Sequence, residues 1–310
     1  MVAKLVNLGS LCVDYVYSVP NIAREGETVS SLGVERFPGG KGLNQSISAS
    51  LAGARVEHYG SVGSDSDLLL NALQGAGVDI TGVSVTDHNS GQAFIQVDSE
   101  GRNAIVIEGG ANRQITKPLI EKALDGVDEG DWLLLQNEIN DLDWIINEGA
   151  RRGIRMALNL APVDSRIKSY PLTKLALLIV NRVEAQAITG DDQTGAALAR
   201  SVSLLLPETV VLLTEGKEGS ILIDPASRLS TKTGAFEIDV VDETAAGDSF
   251  VGYFMAGLVE NKDFTTSLIE ASAAGALAVS GRGAASSIPD RRNVEELILK
   301  QSINQENSAP

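Results

Sequence analysis

Short apolar runs alternate with helix-like stretches along most of this chain, and this alternation limits the fold more than any other feature. The apolar runs suit strands that are buried on both faces of a parallel sheet. Repeated strand–helix order predicts an α/β fold with a doubly wound, mostly parallel sheet and helices on both faces. The predicted strands are Lys4–Gly9, Val56–Val62, Trp132–Gln136, Arg155–Leu160, Ala176–Asn181 and Val210–Thr214, and the predicted helices are Gly42–Ala52, Asp67–Gln74, Lys117–Leu124, Leu142–Arg151 and Gly195–Leu205.

Two segments, Asp14–Glu35 and Gln92–Glu108, have strand-like patterns but lack the helix that a parallel crossover needs. We expect them to form one small β-sheet outside the main layers. Residues 14–35 and 92–108 would make up this sheet and act as a lid over the site, inserted in a single domain of residues 1–310. A plain edge hairpin without a lid role is the alternative. The exposed face of such a sheet could pair with a second copy, so a homodimer through the lid is expected.

The net charge limits the classes of binding partner, and the cysteine content indicates the cellular compartment. The formal net charge of -16 argues against nucleic acid or an anionic membrane as a partner of the whole surface. The single cysteine, Cys12, allows no internal disulfide and fits a reducing compartment. The longest apolar run, Leu175–Val180, is too short to cross a bilayer. We therefore expect a cytoplasmic protein without a membrane partner.

Small residues surround an acidic residue at 242–248, which reads Asp-Glu-Thr-Ala-Ala-Gly-Asp. Phe236–Val241 before it alternates like a strand, and the residues after it suit a buried helix. A helix start of this kind attracts anions, phosphate above all. Asp248 within it would repel such an anion unless it takes a proton from an attacking alcohol. The alternative is that Asp248 only caps the helix.

A second glycine-rich segment, residues 38–42, leads into a helix rich in small residues. Its glycines allow the backbone to approach a ligand, and Asn44 offers an amide that suits sugar hydroxyls. The segment does not match the P-loop pattern, and no dinucleotide-binding fingerprint follows the first strand. Taken alone, it could also be an ordinary turn.

These two segments, in this order and with the motifs between them, resemble the ribokinase-like (PfkB) family of sugar kinases, and the likeness spans nearly the whole chain. The matching residues are Gly9-Ser10 with Asp14, Glu25-Gly26-Glu27-Thr28, Gly39-Gly40-Lys41-Gly42 with Asn44-Gln45, Gly60 with Val62-Gly63, Ala93-Phe94-Ile95, and Asp242 with Thr244 to Phe250.

The resemblance implies transfer of the γ-phosphoryl group of ATP to a primary hydroxyl, with D-ribose as the first expected acceptor and Mg²⁺ as cofactor. Asp248 would be the general base, and the N–H groups of Ala245, Ala246, Gly247 and Asp248 would form an anion hole. Deoxyribose, a ketohexose, a sugar acid or a nucleoside are alternative substrates within the family. A non-catalytic sugar- or nucleotide-binding regulator on the same fold is the alternative from another class.

The resemblance also implies the remaining site residues. It implies sugar contacts from Asp14, Gly39, Gly40, Lys41, Asn44, Glu138 and Asp248. It implies ATP contacts from Asn181, Thr214, Gly216, Gly219 and Gly247, and contact with Mg²⁺ through water from Glu184. It implies a monovalent cation, K⁺, held by Asp242, Thr244, Ala278, Gly281, Gly283 and Ser287. One departure bears on the sugar, because this chain has Cys12 where the family's ribose kinases usually have Asn.

Overall fold

The computed structural model describes residues 2–281 and 283–308, with side chains as far as residue 301. Met1, Arg282, Ala309 and Pro310, which the predicted single domain includes, lie outside the described residues. The strands are β1 Leu5–Leu8, β2 Cys12–Ser18, β3 Gly33–Gly39, β4 Val56–Val62, β5 Asp79–Val85, β6 Gly91–Val97, β7 Asn103–Glu108, β8 Trp132–Gln136, β9 Met156–Asn159, β10 Leu177–Asn181, β11 Val210–Thr214, β12 Ser220–Asp224 and β13 Leu229–Thr233.

The helices fill most of the connections between these strands. They are α1 Lys41–Leu51, α2 Asp67–Gly75, α3 Lys117–Asp125, α4 Leu142–Arg151, α5 Arg182–Thr189, α6 Gly195–Leu205, α7 Ala246–Val259, α8 Phe264–Ala278 and α9 Arg291–Ser308. The predicted helices and the six predicted strands of the main sheet are confirmed to within one residue at each end. No helix in the described ranges is long and apolar enough to cross a membrane.

Within the described residues, nine strands form the large sheet in the order β13-β12-β11-β10-β9-β8-β1-β4-β5. All neighbours from β5 to β11 are parallel, and β12 and β13 add an antiparallel edge. Side chains that alternate along one strand enter different cores: Leu134 of β8 packs with α1, α7 and α8, whereas Leu133 and Leu135 pack with α3, α4 and α6. The predicted doubly wound sheet with helices on both faces is therefore confirmed.

The second sheet has the order β3-β2-β6-β7 and is separate from the large one. Strand β2 pairs antiparallel with β3 and parallel with β6, and β6 and β7 form the predicted hairpin. The small sheet outside the main layers is thus confirmed, whereas its role as a lid stays a prediction.

One predicted strand is wrong. Phe236–Val241 alternates like a strand, yet it pairs with no strand in the part of the chain that the structure describes, and Val240 and Val241 are exposed. Strand β13 before it is the edge of the sheet, so the chain must leave the sheet there to reach the start of α7. The backbone N–H groups of Val241 and Asp242 instead donate to the carbonyl of Val279, just after α8.

Candidate active site

The predicted site lies at the carboxyl edge of the large sheet. Ser10 follows β1, Glu138 follows β8, and Asn159 and Asn181 end β9 and β10. Ligands of open α/β sheets bind at this edge, where the strand order lets neighbouring loops diverge. The topology thus brings together residues that are far apart in sequence.

Asp14 and the glycine-rich turn meet because β2 and β3 are paired strands. Cys12 lies opposite Gly39 in this pair, and Asp14 lies opposite Phe37. A Cβ atom at Gly39 would overlap the carboxylate of Asp14, and Gly40 has a φ of 93°. Both glycines are therefore required by the turn itself, which holds backbone against a carboxylate.

Glu138 is anchored to the start of α1. Its Oε2 accepts hydrogen bonds from the hydroxyl of Ser10, at 2.5 Å, and from the backbone N–H of Lys41, at 3.1 Å. The Ser10 hydroxyl in turn accepts from the N–H of Gly42 at 3.1 Å. The first strand, the glycine-rich turn and the loop after β8 are thereby fixed to one another.

Asp248 lies in the first turn of α7 and is 8% exposed. Its Oδ2 accepts from Asn44 Nδ2 and its Oδ1 from Gln45 Nε2, both at 2.9 Å. The residue that precedes the helix is Ala245, and no described side chain caps this helix end. The interpretation of Asp248 as a helix cap is therefore wrong, and the carboxylate instead joins the two glycine-rich motifs.

Three carboxylates share this site with one lysine, and their charges contribute to the shifted pKa values of Asp14, Lys41 and Cys12. Burial raises the pKa of Asp14 to about 7, helped by Glu138 and Asp248 and opposed by Lys41. Asp248 is the main cause that raises the pKa of Lys41, so its ammonium stays charged. Burial, then Glu138 and Asp14, raises the pKa of the Cys12 thiol, which stays protonated. The site therefore offers carboxylate acceptors around one fixed cation.

The raised pKa of Asp14 predicts a stability cost that depends on pH. Its carboxyl has an ordinary value of 3.8 and a folded value of about 7, so the unfolding free energy falls as the pH rises through that window. Asp14→Asn removes this cost, and we expect it to raise the unfolding free energy at pH 8 by about 2 kcal/mol or more. The gain should shrink toward pH 5, where the parent carboxyl is already protonated.

Thermal unfolding at pH 5 and pH 8 measures this effect. Asp192→Asn is the matched control, because it removes the same charge at an exposed position outside the cluster. A gain equal in the two variants, or equal at the two pH values, would contradict the assigned cause.

The start of α7 leaves room for a ligand. Ala245 has a left-handed backbone with a φ of 60°, and the helix begins at Ala246. Apart from its chain neighbours and its own helix backbone, no heavy atom of the described residues lies within 4 Å of a Cβ atom placed at Gly247. Packing does not require a glycine there, whereas close approach of an anion to the first-turn N–H groups does.

Asn181 and Glu184 form a reciprocal cap at the start of α5. Glu184 accepts from the backbone N–H and from Nδ2 of Asn181, both at 2.7 Å, and its own N–H donates to Asn181 Oδ1 at 3.0 Å. Burial raises the pKa of Glu184, and Lys41 acts against that rise. Because α5 directly follows the carboxyl end of β10, Glu184 lies at the same edge of the sheet as the carboxylate cluster.

The loop from Thr214 to Gly219 is the connection between the antiparallel strands β11 and β12. Gly219 has a φ of 89°, and a side chain there would overlap the carbonyl of Thr233. The fold thus accounts for Gly219, whereas Gly216 faces open space. The predicted role of this loop in binding ATP stays a prediction.

The residues predicted to hold a monovalent cation lie in two adjoining loops. Asp242 accepts from the N–H and hydroxyl of Thr244, at 2.9 and 2.6 Å, and from the N–H of Gly283, at 3.1 Å. Gly281 donates to the carbonyl of Ala278 and packs against Ser287. In the described part of the chain, no group of three or more acidic, histidine or cysteine side chains is placed to hold a metal. A cation here would need backbone carbonyl ligands.

Comparison with known proteins identifies the family. The sequence model of the pfkB family carbohydrate kinases matches residues 2–291. The chain belongs to this family. It is 33% identical to a ribokinase of Haemophilus influenzae, and the match covers 95% of this chain and 98% of that protein. A ribokinase of Bacillus subtilis is also 33% identical, with 94% and 98% covered.

The fold agrees with the family assignment. The structure of an Arabidopsis thaliana ribokinase complexed with ribose and ATP superimposes with a TM-score of 0.86 and 29% identity. The match covers 96% of this chain and 99% of that one. The kinase family and its architecture, predicted from the glycine-rich segments, are thus confirmed.

Sequence reasoning missed the residues that support Asp248. The glycine-rich motif includes Gln45 but assigns it no role, and no motif points to Asn7, Gln136 or Asn159, yet all four are buried. The available signal was an amide inside an apolar strand, as in Leu133-Leu134-Leu135-Gln136. Such a side chain needs a buried hydrogen-bond partner, which points to a polar network behind the site.

Proposed function

We propose that this chain is an ATP-dependent sugar kinase that phosphorylates a primary hydroxyl, with D-ribose as its first substrate. The observation that carries the proposal is the position of Asp248. Its buried carboxylate lies in the first turn of α7, beside the backbone N–H groups of that turn, and it accepts hydrogen bonds from Asn44 and Gln45, just after the glycine-rich segment. A base and an anion site therefore adjoin, as phosphoryl transfer to an alcohol requires.

In the proposed reaction, Asp248 takes the proton of the sugar hydroxyl as its oxygen attacks the γ-phosphorus of ATP. The new oxygen–phosphorus bond forms while the bond to the bridging oxygen breaks, and that electron pair leaves with ADP. A positioned base contributes about 10²–10⁴-fold. The N–H groups of residues 245–248 would stabilise the charge that develops on the transferred group.

The carboxylates of Asp14 and Glu138 would accept hydrogen bonds from sugar hydroxyls, and charged acceptors make the stronger ones. Lys41 and Asn44 would donate, and the backbone of Gly39 and Gly40 would allow close approach. Glu138 already accepts two protein hydrogen bonds, but a carboxylate has about four lone-pair sites. It can therefore bind a hydroxyl without leaving its anchor.

ATP would be held by the loops that follow neighbouring strands and by the start of α7. The residues proposed for this contact are Asn181, Thr214, Gly216, Gly219 and Gly247. Mg²⁺ would neutralise phosphate charge and orient the γ-phosphoryl group. Glu184 fits contact with Mg²⁺ through bound water, because its capping hydrogen bonds leave lone pairs of its carboxylate free.

Two finer features belong to the same proposal. The loops around Asp242 and Gly283 would bind K⁺ through oxygen atoms of Asp242, Thr244, Ala278, Gly281, Gly283 and Ser287. The small sheet would act as the lid and join two copies, because Val34, Ile105, Val106 and Ile107 on its outer strands are more than half exposed. Sedimentation of a monomer at micromolar concentration would reject the dimer. The cytoplasmic location stays a prediction.

ATP consumption with a panel of sugars and nucleosides tests the function, each measured with and without K⁺. We expect D-ribose to give the highest kcat/KM and K⁺ to raise it. If the kcat/KM for a deoxyribose, ketohexose, sugar acid or nucleoside exceeds that for ribose by tenfold or more, about 1.4 kcal/mol, ribose is rejected as the first substrate. The buried thiol of Cys12 would then be the first residue to test for sugar selection. Binding without turnover of any substrate rejects the kinase and favours a binding regulator.

A further inference from the structure

A run of buried amides leads from Asp248 into the core of the large sheet. Gln45 Nε2 donates to Asp248 Oδ1 and to Asn159 Oδ1, each at 2.9 Å. Gln45 Oε1 accepts from Gln136 Nε2 at 2.9 Å, and Gln136 Nε2 also donates to Asn7 Oδ1 at 3.0 Å. Gln45, Gln136 and Asn7 are fully buried, so water does not compete for these bonds.

Asp248 is the one member of this run whose hydrogen-bonding role is fixed, because it can only accept. An amide can turn over and exchange its oxygen with its nitrogen at almost no change in shape, whereas an ionised carboxylate only accepts. Asp248 therefore requires the NH₂ group of Gln45 to face it. That leaves the Gln45 carbonyl pointing at Gln136, which must present its own NH₂ group. Each amide orientation is thus tied to the one before it.

The far end of the run carries no competing charge. Asn7 Nδ2 donates to Ser46 Oγ and to the carbonyl of Gly42, each at 2.8 Å. Ser46 can then donate to Nδ1 of His58, 2.8 Å away. Burial lowers the pKa of His58 to about 4, so this ring is neutral and carries its proton on Nε2. Each bond from Asp248 to His58 thus has one donor and one acceptor in this orientation, while Gln136 Oε1 and His58 Nε2 have no hydrogen-bond partner among the described residues.

We propose that Gln136 is a positioning residue that keeps the Gln45 amide aimed at Asp248; this rests on the proposed role of Asp248 as the base. Without the donor at 136, the Gln45 carbonyl loses its buried partner, and only the bonds from its NH₂ group to Asp248 and Asn159 hold the amide. The amide is then free to tilt toward another donor, and it draws the Asp248 carboxylate out of position. Gln136 lies on β8 beneath the site, so ligand binding should be affected less than turnover.

Two variants of Gln136 test the proposal. Gln136→Met removes the donor and is expected to lower kcat by about 10- to 100-fold, as expected for a catalytic group displaced by about 1 Å. KM for ATP and for the sugar should stay within about twofold, since ground-state contacts are kept. Gln136→Glu keeps the shape, and its buried carboxyl, with a pKa raised by burial, offers only acceptors once it ionises, so its kcat should fall as the pH rises through that pKa.

Leu134→Met is the matched control. Leu134 lies two residues away on the same face of β8 and is buried among apolar side chains. We expect it to keep the parent kcat, because Leu and Met have similar volumes and neither bonds to an amide. Equal losses of kcat in Leu134→Met and Gln136→Met would overturn the proposal in favour of packing. Should Gln136→Met fail to fold, Gln136→Glu, of unchanged volume, carries the test.

A double-mutant cycle shows whether Gln136 acts through Gln45. In a Gln45→Met background, Gln136→Met should cause no further loss of kcat. Losses of kcat that multiply would overturn the proposal that Gln136 acts through Gln45. Parent kcat in both Gln136 variants would also overturn it. These outcomes are separate from failure of the proposed function: parent kcat in Asp248→Asn would reject the base, whatever the Gln136 variants do.

Discussion

Asp248→Asn is expected to lower kcat by about 10²–10⁴-fold, the contribution of a positioned general base, while sugar and ATP still bind. The fold should survive because the network can adapt at one point. Asn44 Oδ1 has no hydrogen-bond partner among the described residues. Turning the Asn44 amide over would let this oxygen accept from the new NH₂ group at 248. Gln45, tied to Asn159 and Gln136, would keep its orientation.

Steady-state kinetics with calorimetric titration of sugar and nucleotide separates turnover from binding. Asp263→Asn is the control, since Asp263 caps α8, the helix packed on α7, and accepts from the N–H of Thr266 at 3.0 Å. Asn is also a good helix cap, so this variant should keep the parent kcat. Turnover near the parent value in Asp248→Asn would show that another group takes the proton.

The main architecture could be predicted because each buried parallel strand is recognisable in the sequence as a short apolar run. Runs such as Trp132–Gln136 are apolar on both faces, and the observed bounds agree with the prediction. Phe236–Val241 has an equally strand-like pattern, but a strand also needs a neighbour. The edge of the sheet is already formed by β13, and no local pattern reveals where a sheet ends.

The site shows the same limit. The roles of Asp248 and of the glycine-rich turn could be predicted, because an acid at a helix start that attracts anions, and several glycines in a row, both cost free energy unless they have a function. The support behind them could not, since the hydrogen bond from Gln45 to Asp248 joins residues about 200 positions apart. For the capping pair of Asn181 and Glu184, by contrast, the local structural role is evident and the ligand role is the open one. One motif there can satisfy a helix end and still keep acceptors for a ligand, so finding the cap does not exclude the second role.

Gly247 offers a sharper test of the anion hole, because stability and activity should change in opposite directions. The residue has a helical position in α7 and open space where a side chain would lie. Gly247→Ala should therefore raise the unfolding free energy by about 0.5–1 kcal/mol, the usual difference in helix propensity. The added methyl group would occupy the space in front of the first-turn N–H groups. Loss of one such donor lowers kcat by about 10²–10³-fold.

Gly75→Ala is the matched control for this variant. Gly75 ends α2, and a Cβ atom there also meets nothing within 4 Å, so the same methyl group should stabilise the chain without changing kcat. Thermal unfolding and steady-state kinetics on both variants measure the two effects. A more stable Gly247→Ala with parent kcat would show that the transferred group does not approach this turn. A loss of both stability and activity would mean that position 247 serves the fold, and the open space before α7 would then need another explanation.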